Sequence, residues 1–276
     1  MRCWLQLALL CSAAAAETGR DWQRGDETLA GPCDVETRPW HTLSASDFHV
    51  RYQDKLPVLL TELPANAVFE RLTQRERLLA DWGAHNVTLA TANTYSYGRR
   101  RSTLRQYVEA LTPQEEDALG LHLLYMFGDH AGSWDDLLSA YALPPFVSRE
   151  TDEVSLSWGI GAPGSGVPFH IHGAGFSEVV HGRKRWLLFA PHRRPPFNPN
   201  ASSLSWFRAW QAGEPALLAH GAPLDCTIEP GSALYFPADW WHATLNVGDC
   251  VFMSTFVNWR TPPADTELRL PCYHTR

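Results

Sequence analysis

Apolar residues in the first part of the chain recur at helical spacing, interrupted by short extended runs. "RPWHTLSASDFHVRYQDKLPVLLTEL" reads as a short helix after Ser44 or Ser46, then a buried strand over Pro57 to Thr61. "FERLTQRERLLADWG" places Phe69, Leu72, Leu78, Leu79 and Trp82 on one helical face and stops at Gly83. "NVTLATANTYSY" alternates as a strand, "STLRQYVEALTP" is a capped helix stopped by Pro113, "LHLLYMFG" is a strand, and "SWDDLLSAYALPPF" is a short helix. From Val154 the pattern changes. "VSLSWGIG", "PFHIHG", "KRWLLFAP", "LDCTIEPGSALYFPADWWHATLNVG" and "CVFMSTFVNW" are short apolar or alternating runs parted by glycine, proline and asparagine. Many short strands at that spacing predict a β-barrel or sandwich. The fold class expected is α+β: a double-stranded β-helix of the jelly-roll kind with an N-terminal helical portion packed around it.

The first residues, "MRCWLQLALLCSAAAAE", are not part of that pattern. Arg2, an apolar run from Cys3 to Leu10 and then small residues predict a cleaved signal peptide ending at Ala16. The run is about a dozen residues, and a spanning helix needs about 20, so a transmembrane anchor is not expected. Residues 17–39 form an N-terminal segment, 40–260 the domain with its β core at about 154–260, and 261–276 a tail. The mature chain is long enough for one large domain. Hydrophobic content of 45% and twelve tryptophans suit a packed core. A net charge of −7 argues against nucleic acid as a partner. The runs Arg99-Arg100-Arg101 and His192-Arg193-Arg194 read as solvated loops. Asn86 and Asn200 each open an acceptor sequon for glycosylation. Cys33, Cys226, Cys250 and Cys272 remain after removal of the signal, an even number in an oxidising compartment. All four are disulfide candidates, and the three pairings they allow stay open.

Candidate chemistry lies in "PFHIHGAGFSEVVHGRKRWLLFAP". His170 and His172 are separated by one residue, so in an extended segment both rings project from one face. His242 follows the turn "FPAD" at the start of a strand and is the third candidate ligand. Three neutral imidazoles hold Fe(II), Zn(II) or Mn(II). Lys184 opens a strand that heads into the core, and a buried ammonium needs an anionic partner. Trp186 and Phe189 are expected in the core.

"GSGVPFHIHGAGFSEVVHGRKRWLLFAP" together with "EPGSALYFPADWWHATLNVGDCVFMSTF" resembles the JmjC domain, the cupin-type fold of iron- and 2-oxoglutarate-dependent oxygenases. The resemblance spans about residues 40 to 260. It implies a metal held by His170, by the residue two positions on, and by His242. His172 stands where the family carries Asp or Glu. The resemblance makes Lys184 the partner of the far carboxylate of 2-oxoglutarate, with Ser177 and Tyr125 beside it. Broader cupins add a glutamate after the HxH pair and an asparagine four residues after the distal histidine, which points to Glu178 and Asn246. Glu178 is then a fourth ligand if it turns inward, or a solvent-facing partner of Arg183 or Arg185.

Three functional classes follow. One is an Fe(II)/2-oxoglutarate-dependent dioxygenase that hydroxylates a side chain of a protein substrate. Another is a JmjC fold that regulates a protein partner by contact. The last is a metal-binding cupin with a small ligand other than 2-oxoglutarate. Loss of the acidic ligand favours regulation by contact; Lys184 and His242 favour the oxygenase. An amino-terminal signal and the lack of a basic surface argue against histone demethylation. The resemblance to a luminal member implies the endoplasmic reticulum lumen. Secretion is the alternative, because "PCYHTR" carries no KDEL-type signal.

Overall fold

Nearly every strand after Asp152 is buried on both faces, and that requirement shapes the architecture. The structure is a computed structural model that describes residues 21–23, 25–114, 119–128 and 134–260. The expected signal segment, the tail at 261–276 and Cys272 lie outside the described residues. In chain order the elements are β1 Thr37–Pro39, α1 Ala45–Arg51, β2 Val58–Thr61, α2 Ala67–Leu72, α3 Arg75–Trp82, β3 Asn86–Thr91, β4 Arg99–Thr103, α4 Leu104–Glu109, β5 Leu124–Gly128 and α5 Asp135–Leu138. There follow β6 Asp152–Gly161, β7 Gly175–His181, β8 Lys184–Phe189, α6 Ser203–Gln211, α7 Pro215–His220, β9 Leu224–Ile228, β10 Ala233–Phe236, β11 Trp241–Asn246 and β12 Cys250–Trp259.

Two sheets face each other. The larger runs β1-β2-β10-β7-β12-β6-β5-β3-β4, and the smaller runs β11-β8-β9. Because side chains alternate along a strand, the even-numbered residues of β8, β10, β11 and β12 point into the space between the sheets. Trp186, Leu188, Leu234, Phe236, Cys250 and Phe252 meet there in one cluster, joined by Val179 of β7. The opposite faces are covered by helices. Phe48 and Tyr52 of α1 pack on Phe176 and Tyr235. Leu78 and Leu79 of α3, Leu104 and Tyr107 of α4 and Leu137 of α5 pack on Trp158, Ile160 and Met253. Leu204 and Phe207 of α6 close over Leu187, Phe189 and Leu245. The fold is thus the expected jelly roll with helices around it.

Local chemistry explains where the pattern misleads. The single helix expected across 69–82 is two. The Thr73 hydroxyl donates to the Phe69 carbonyl at 2.8 Å, capping α2, and Gln74 takes an extended conformation before α3. The basic run at 99–101 is not a loop but the edge strand β4, paired with β3 in the register Thr88↔Arg101. Charged side chains on such an edge resist pairing with another chain. The HxH segment is not a strand; its only ladder contact is an isolated bridge between His170 and His242. The helices α6 and α7 interrupt the β core, and α6 starts on a Ser202 cap that accepts from the Ser205 amide.

An N-terminal strap is pinned across the smaller sheet. Cys33 is bonded to Cys226 of β9. Beside it the buried Arg185 guanidinium forms a two-pronged pair with Asp225 and donates to the Leu29 and Ala30 carbonyls at 3.0 and 3.1 Å. The expectation that Cys250 is bonded is corrected: it is a free thiol, wholly buried in the barrel, where desolvation pushes its pKa up to about 12. It shares the interior cluster with Cys226, whose sulfur is already bonded to Cys33. The Cys33→Ser/Cys226→Ser variant is expected to lose about 2–5 kcal/mol of stability, measured as a lower chemical-denaturation midpoint, whereas an unchanged midpoint would show that the bond does not hold the strap.

Candidate metal centre

Backbone pairing brings the histidines together. His170 and His242 exchange two amide-to-carbonyl hydrogen bonds of 3.0 Å, and Asp239 in the turn before β11 donates its amide to the His172 carbonyl at 3.0 Å. Asp239 adopts φ 63, the left-handed conformation that an aspartate tolerates in a tight turn. The three side chains form a group whose ligand atoms lie within 4.8 Å of one another. Among the described residues no Cys, Asp or Glu joins it.

Every Nδ1 is occupied. His170 donates from Nδ1 to the Pro168 carbonyl, His172 to that of Gly173 and His242 to that of Trp240, each at 2.8 Å. A carbonyl only accepts, so the proton sits on Nδ1 in all three rings, and each neutral ring keeps its lone pair on Nε2. The Nε2 atoms of His172 and His242 are 3.0 Å apart. Two lone pairs at that distance repel unless a cation lies between them. Burial, then the neighbouring imidazoles, pushes the His170 pKa down to about 4 and that of His242 well below its usual value; burial also lowers that of His172. The rings are therefore neutral near pH 7, in the protonation state that a divalent metal requires. The residues present fit such an ion.

The cavity beside the rings is about 40 Å³ and is walled by Tyr125, Phe127, Phe236, Phe252 and Phe256. Trp186, expected to be plain core, is part of this wall and stacks on Phe236 with ring centres 5.1 Å apart. Lys184 also lines it, fully buried. Its Nζ donates to Asn246 Oδ1 at 3.0 Å and lies 3.7 Å from the centre of the Phe252 ring. Asn246 in turn donates from Nδ2 to Ser165 Oγ at 3.0 Å. A Cβ on Gly161 would stand 2.0 Å from Asn246 Nδ2, so this contact depends on glycine there. Desolvation brings the Lys184 pKa down to about 8. The partners of the amine are an amide oxygen and a ring face, not a carboxylate.

The remaining expected residues divide. Ser177 faces into the barrel, with its hydroxyl buried and without a partner among the described residues. Tyr125 lines the cavity as the resemblance implies. Glu178 is not a ligand, which corrects the inward reading. Strand alternation sends Ser177 and Val179 into the barrel and Glu178 to the outside of β7, under α2. There its carboxyl accepts from Tyr141 Oη at 2.8 Å and from Asn66 Nδ2 at 3.2 Å. It does not pair with Arg183 or Arg185 either; these bind Glu27 and Asp225. Asn86 is exposed, whereas Asn200 is half-buried and accepts from Asn93 Nδ2 at 3.5 Å. A larger cleft of about 570 Å³ lies beyond Tyr125, against Arg100, Arg101 and Ser165. It contains none of the three histidines, so the smaller cavity is the candidate centre.

Glu178 makes a pH prediction. Burial raises its pKa to about 7, so the folded chain holds a proton that the unfolded chain releases from pH 4.5 upward. Stability contributed by this proton is complete below pH 4.5 and is lost as pH rises through about 7, by up to about 3 kcal/mol. Glu178→Gln is expected to flatten that fall in denaturation series between pH 4.5 and 8, and an unchanged slope would assign it to another group.

Comparison with known proteins places this geometry. Residues 57–264 match the profile of the cupin-like domain. The chain is 42% identical over 259 residues to JmjC domain-containing protein 8 of Homo sapiens, covering 92% of this chain and 96% of the human protein. It is 44% identical over 256 residues to the Rattus norvegicus protein of the same name, covering 92% and 88%. A shorter match, 31% identical over 111 residues, is to the human 2-oxoglutarate and iron-dependent oxygenase JMJD4, covering 36% of this chain and 25% of that protein.

Proposed function

Because this chain belongs to the JmjC family of cupin-like proteins, we propose that it is a metal-binding member of the secretory-pathway lumen that regulates a protein partner by contact and does not use 2-oxoglutarate. One observation carries the reading. The cavity beside the imidazoles is about 40 Å³, and the lysine that would meet a dicarboxylate is already engaged by Asn246 and Phe252.

In this reading His170, His172 and His242 hold a divalent ion, and the carbonyls of Pro168, Gly173 and Trp240 fix the tautomer of each ring. The ion supplies Lewis acidity to whatever ligand shares the cavity. Phe127, Phe236, Phe252 and Phe256 give the cavity apolar walls. The acidic ligand that would offset charge at the metal is replaced by His172, which supports a binding role over an oxygenase cycle. Contact with a partner is supported by exposed Ile171, between the two ligands, and by exposed Tyr95 and Tyr97, whose loop is tied to the site by the Thr94 hydroxyl donating to the Phe169 carbonyl at 3.1 Å. Tyrosines of this kind are enriched at protein interfaces. A luminal address is supported by the expected signal peptide and by the Cys33–Cys226 bond, since disulfides persist in oxidising compartments. In that compartment the exposed Asn86 is the sequon open to glycosylation.

The oxygenase reading keeps one argument of its own: the three Nε2 lone pairs converge as a metal-dependent oxygenase needs. Calorimetry decides between the two. Protein from a secretory host is expected to carry about one divalent metal, lost in His170→Ala and His242→Ala, and to show no saturable heat with a 2-oxoglutarate analogue. Saturable binding that disappears in Lys184→Ala would establish the co-substrate and end the contact-only reading. Chelation is expected to lower the melting temperature, as removal of any ligand specific to the folded state does.

A further inference from the structure

We propose that the outer edge of β4 docks an extended acidic segment of a partner protein, which adds a strand to the larger sheet and lies along the adjoining cleft. The inference rests on the contact half of the function proposed above and names the partner's chemistry; occupancy of the metal centre does not enter it.

The larger sheet ends at β4, and hydrogen-bond alternation fixes which groups are open there. Backbone groups of successive strand residues point to opposite sides. The Ala92 amide donates to the Leu123 carbonyl at 2.8 Å, toward β5, whereas the Thr91 amide donates to the Gly98 carbonyl at 3.0 Å, toward β4. Continued along β3, this alternation makes Leu89 and Val87 the residues that bond β4. Their partners Arg100 and Ser102 are therefore turned inward. The backbone groups of Arg99 and Arg101 consequently face out of the sheet. Thr103 does not extend this edge, because its amide donates to Gln106 Oε1 at 3.2 Å in the cap of α4. The N–H and C=O groups of Arg99 and Arg101 are a template for one short added strand.

Charge selects that strand. Arg99, Arg100 and Arg101 are all exposed, and none forms an ion pair among the described residues. The acid closest to them in sequence, Glu109, is paired with Arg105. A second copy joined edge to edge would set arginine against arginine. The charge that discourages self-association thus leaves an acidic strand as the matching occupant. In antiparallel pairing its alternate side chains meet Arg99 and Arg101 on one face and pass Arg100 on the other. Arg100 and Arg101 also line the cleft of about 570 Å³, with Leu89 and Leu124 in its wall and, among the described residues, no Asp or Glu. Gln114 lines the same cleft, and its Nε2 is buried without an acceptor among the described residues. The cleft therefore offers an unused amide donor together with two guanidinium groups and apolar surface.

The test titrates the full mature chain into a short fluorescein-labelled peptide of alternating glutamate and valine, followed by fluorescence anisotropy. Saturable binding that weakens as salt is raised is expected, with none for the lysine–valine counterpart. N-methylation of the glutamates, which face Arg99 and Arg101, is expected to abolish binding, and N-methylation of the valines to preserve it. Arg99→Glu/Arg101→Glu is expected to bind the acidic peptide about ten-fold more weakly at an unchanged melting temperature, since two exposed attractions become repulsions. The peptide arms need no variant, so they decide the matter even where the charge reversal folds poorly. Absence of saturable binding, equal binding of the lysine peptide, or indifference to N-methylation of the glutamates overturns the proposal. So does a chain that dimerises through this edge, seen as a dimer that Arg99→Glu/Arg101→Glu alters while the peptide stays unbound. Each of these failures leaves the contact reading standing, because that reading is decided separately by the 2-oxoglutarate titration.

Discussion

Backbone hydrogen bonds between the histidine loop and β11 hold the centre in place. His170 and His242 exchange amide and carbonyl contacts of 3.0 Å in a bridge that belongs to no longer ladder. The loop carrying His170 and His172 is otherwise irregular, and this bridge, with the Val167 and Ser165 carbonyls that accept from the Thr244 and Asn246 amides, fixes the height of the HxH segment against β11. Once it forms, strand parity in β11 points His242 into the barrel, and the adjacent carbonyls orient all three rings. A slip of one residue in β11 would turn His242, Thr244 and Asn246 outward together. Metal ligands and lysine partner share one strand register, and they stand or fall as a unit.

The same parity shows what was legible in the sequence. Two histidines one residue apart and a third after a turn were readable as ligands, and the short strands after Val154 were readable as a barrel. The glutamate was not, because distance along the chain carries no information about which face a residue takes after an irregular loop. Counting six residues from His172 gave Glu178 a cupin-like spacing, yet β7 begins at Gly175 and its own alternation sends that carboxyl outward. The helices α6 and α7 were hidden for a related reason. The apolar positions of α6, Leu204 and Phe207, cover the outer face of β8 and β11, so they signal a helix only once the strands they pack on are known. The strand β4 was masked by its composition: three arginines resemble a loop, and only an edge position accommodates them in a sheet.

Asn246 illustrates a residue whose position was readable and whose work was not. Its spacing from His242 matches a broader cupin pattern, but its role depends on the register that sets Lys184 of β8 opposite Asn246 of β11. That pairing gives the buried amine a neutral acceptor close at hand. Gly161 makes room for the amide, and Ser165 takes its second hydrogen bond. A buried lysine ordinarily calls for a carboxylate. Here an amide oxygen and an aromatic face provide partial compensation, and the lowered pKa of the amine, about 8, shows that the compensation is incomplete.

That incomplete compensation links the altered ligand set to the narrow cavity. With an acid at the position of His172, the metal would carry less net charge and the lysine would face a less positive neighbour. With an imidazole there, attraction for an anion rises, while Phe236, Phe252 and Phe256 restrict the room available to one. Electrostatics and sterics therefore pull in opposite directions for a large dicarboxylate.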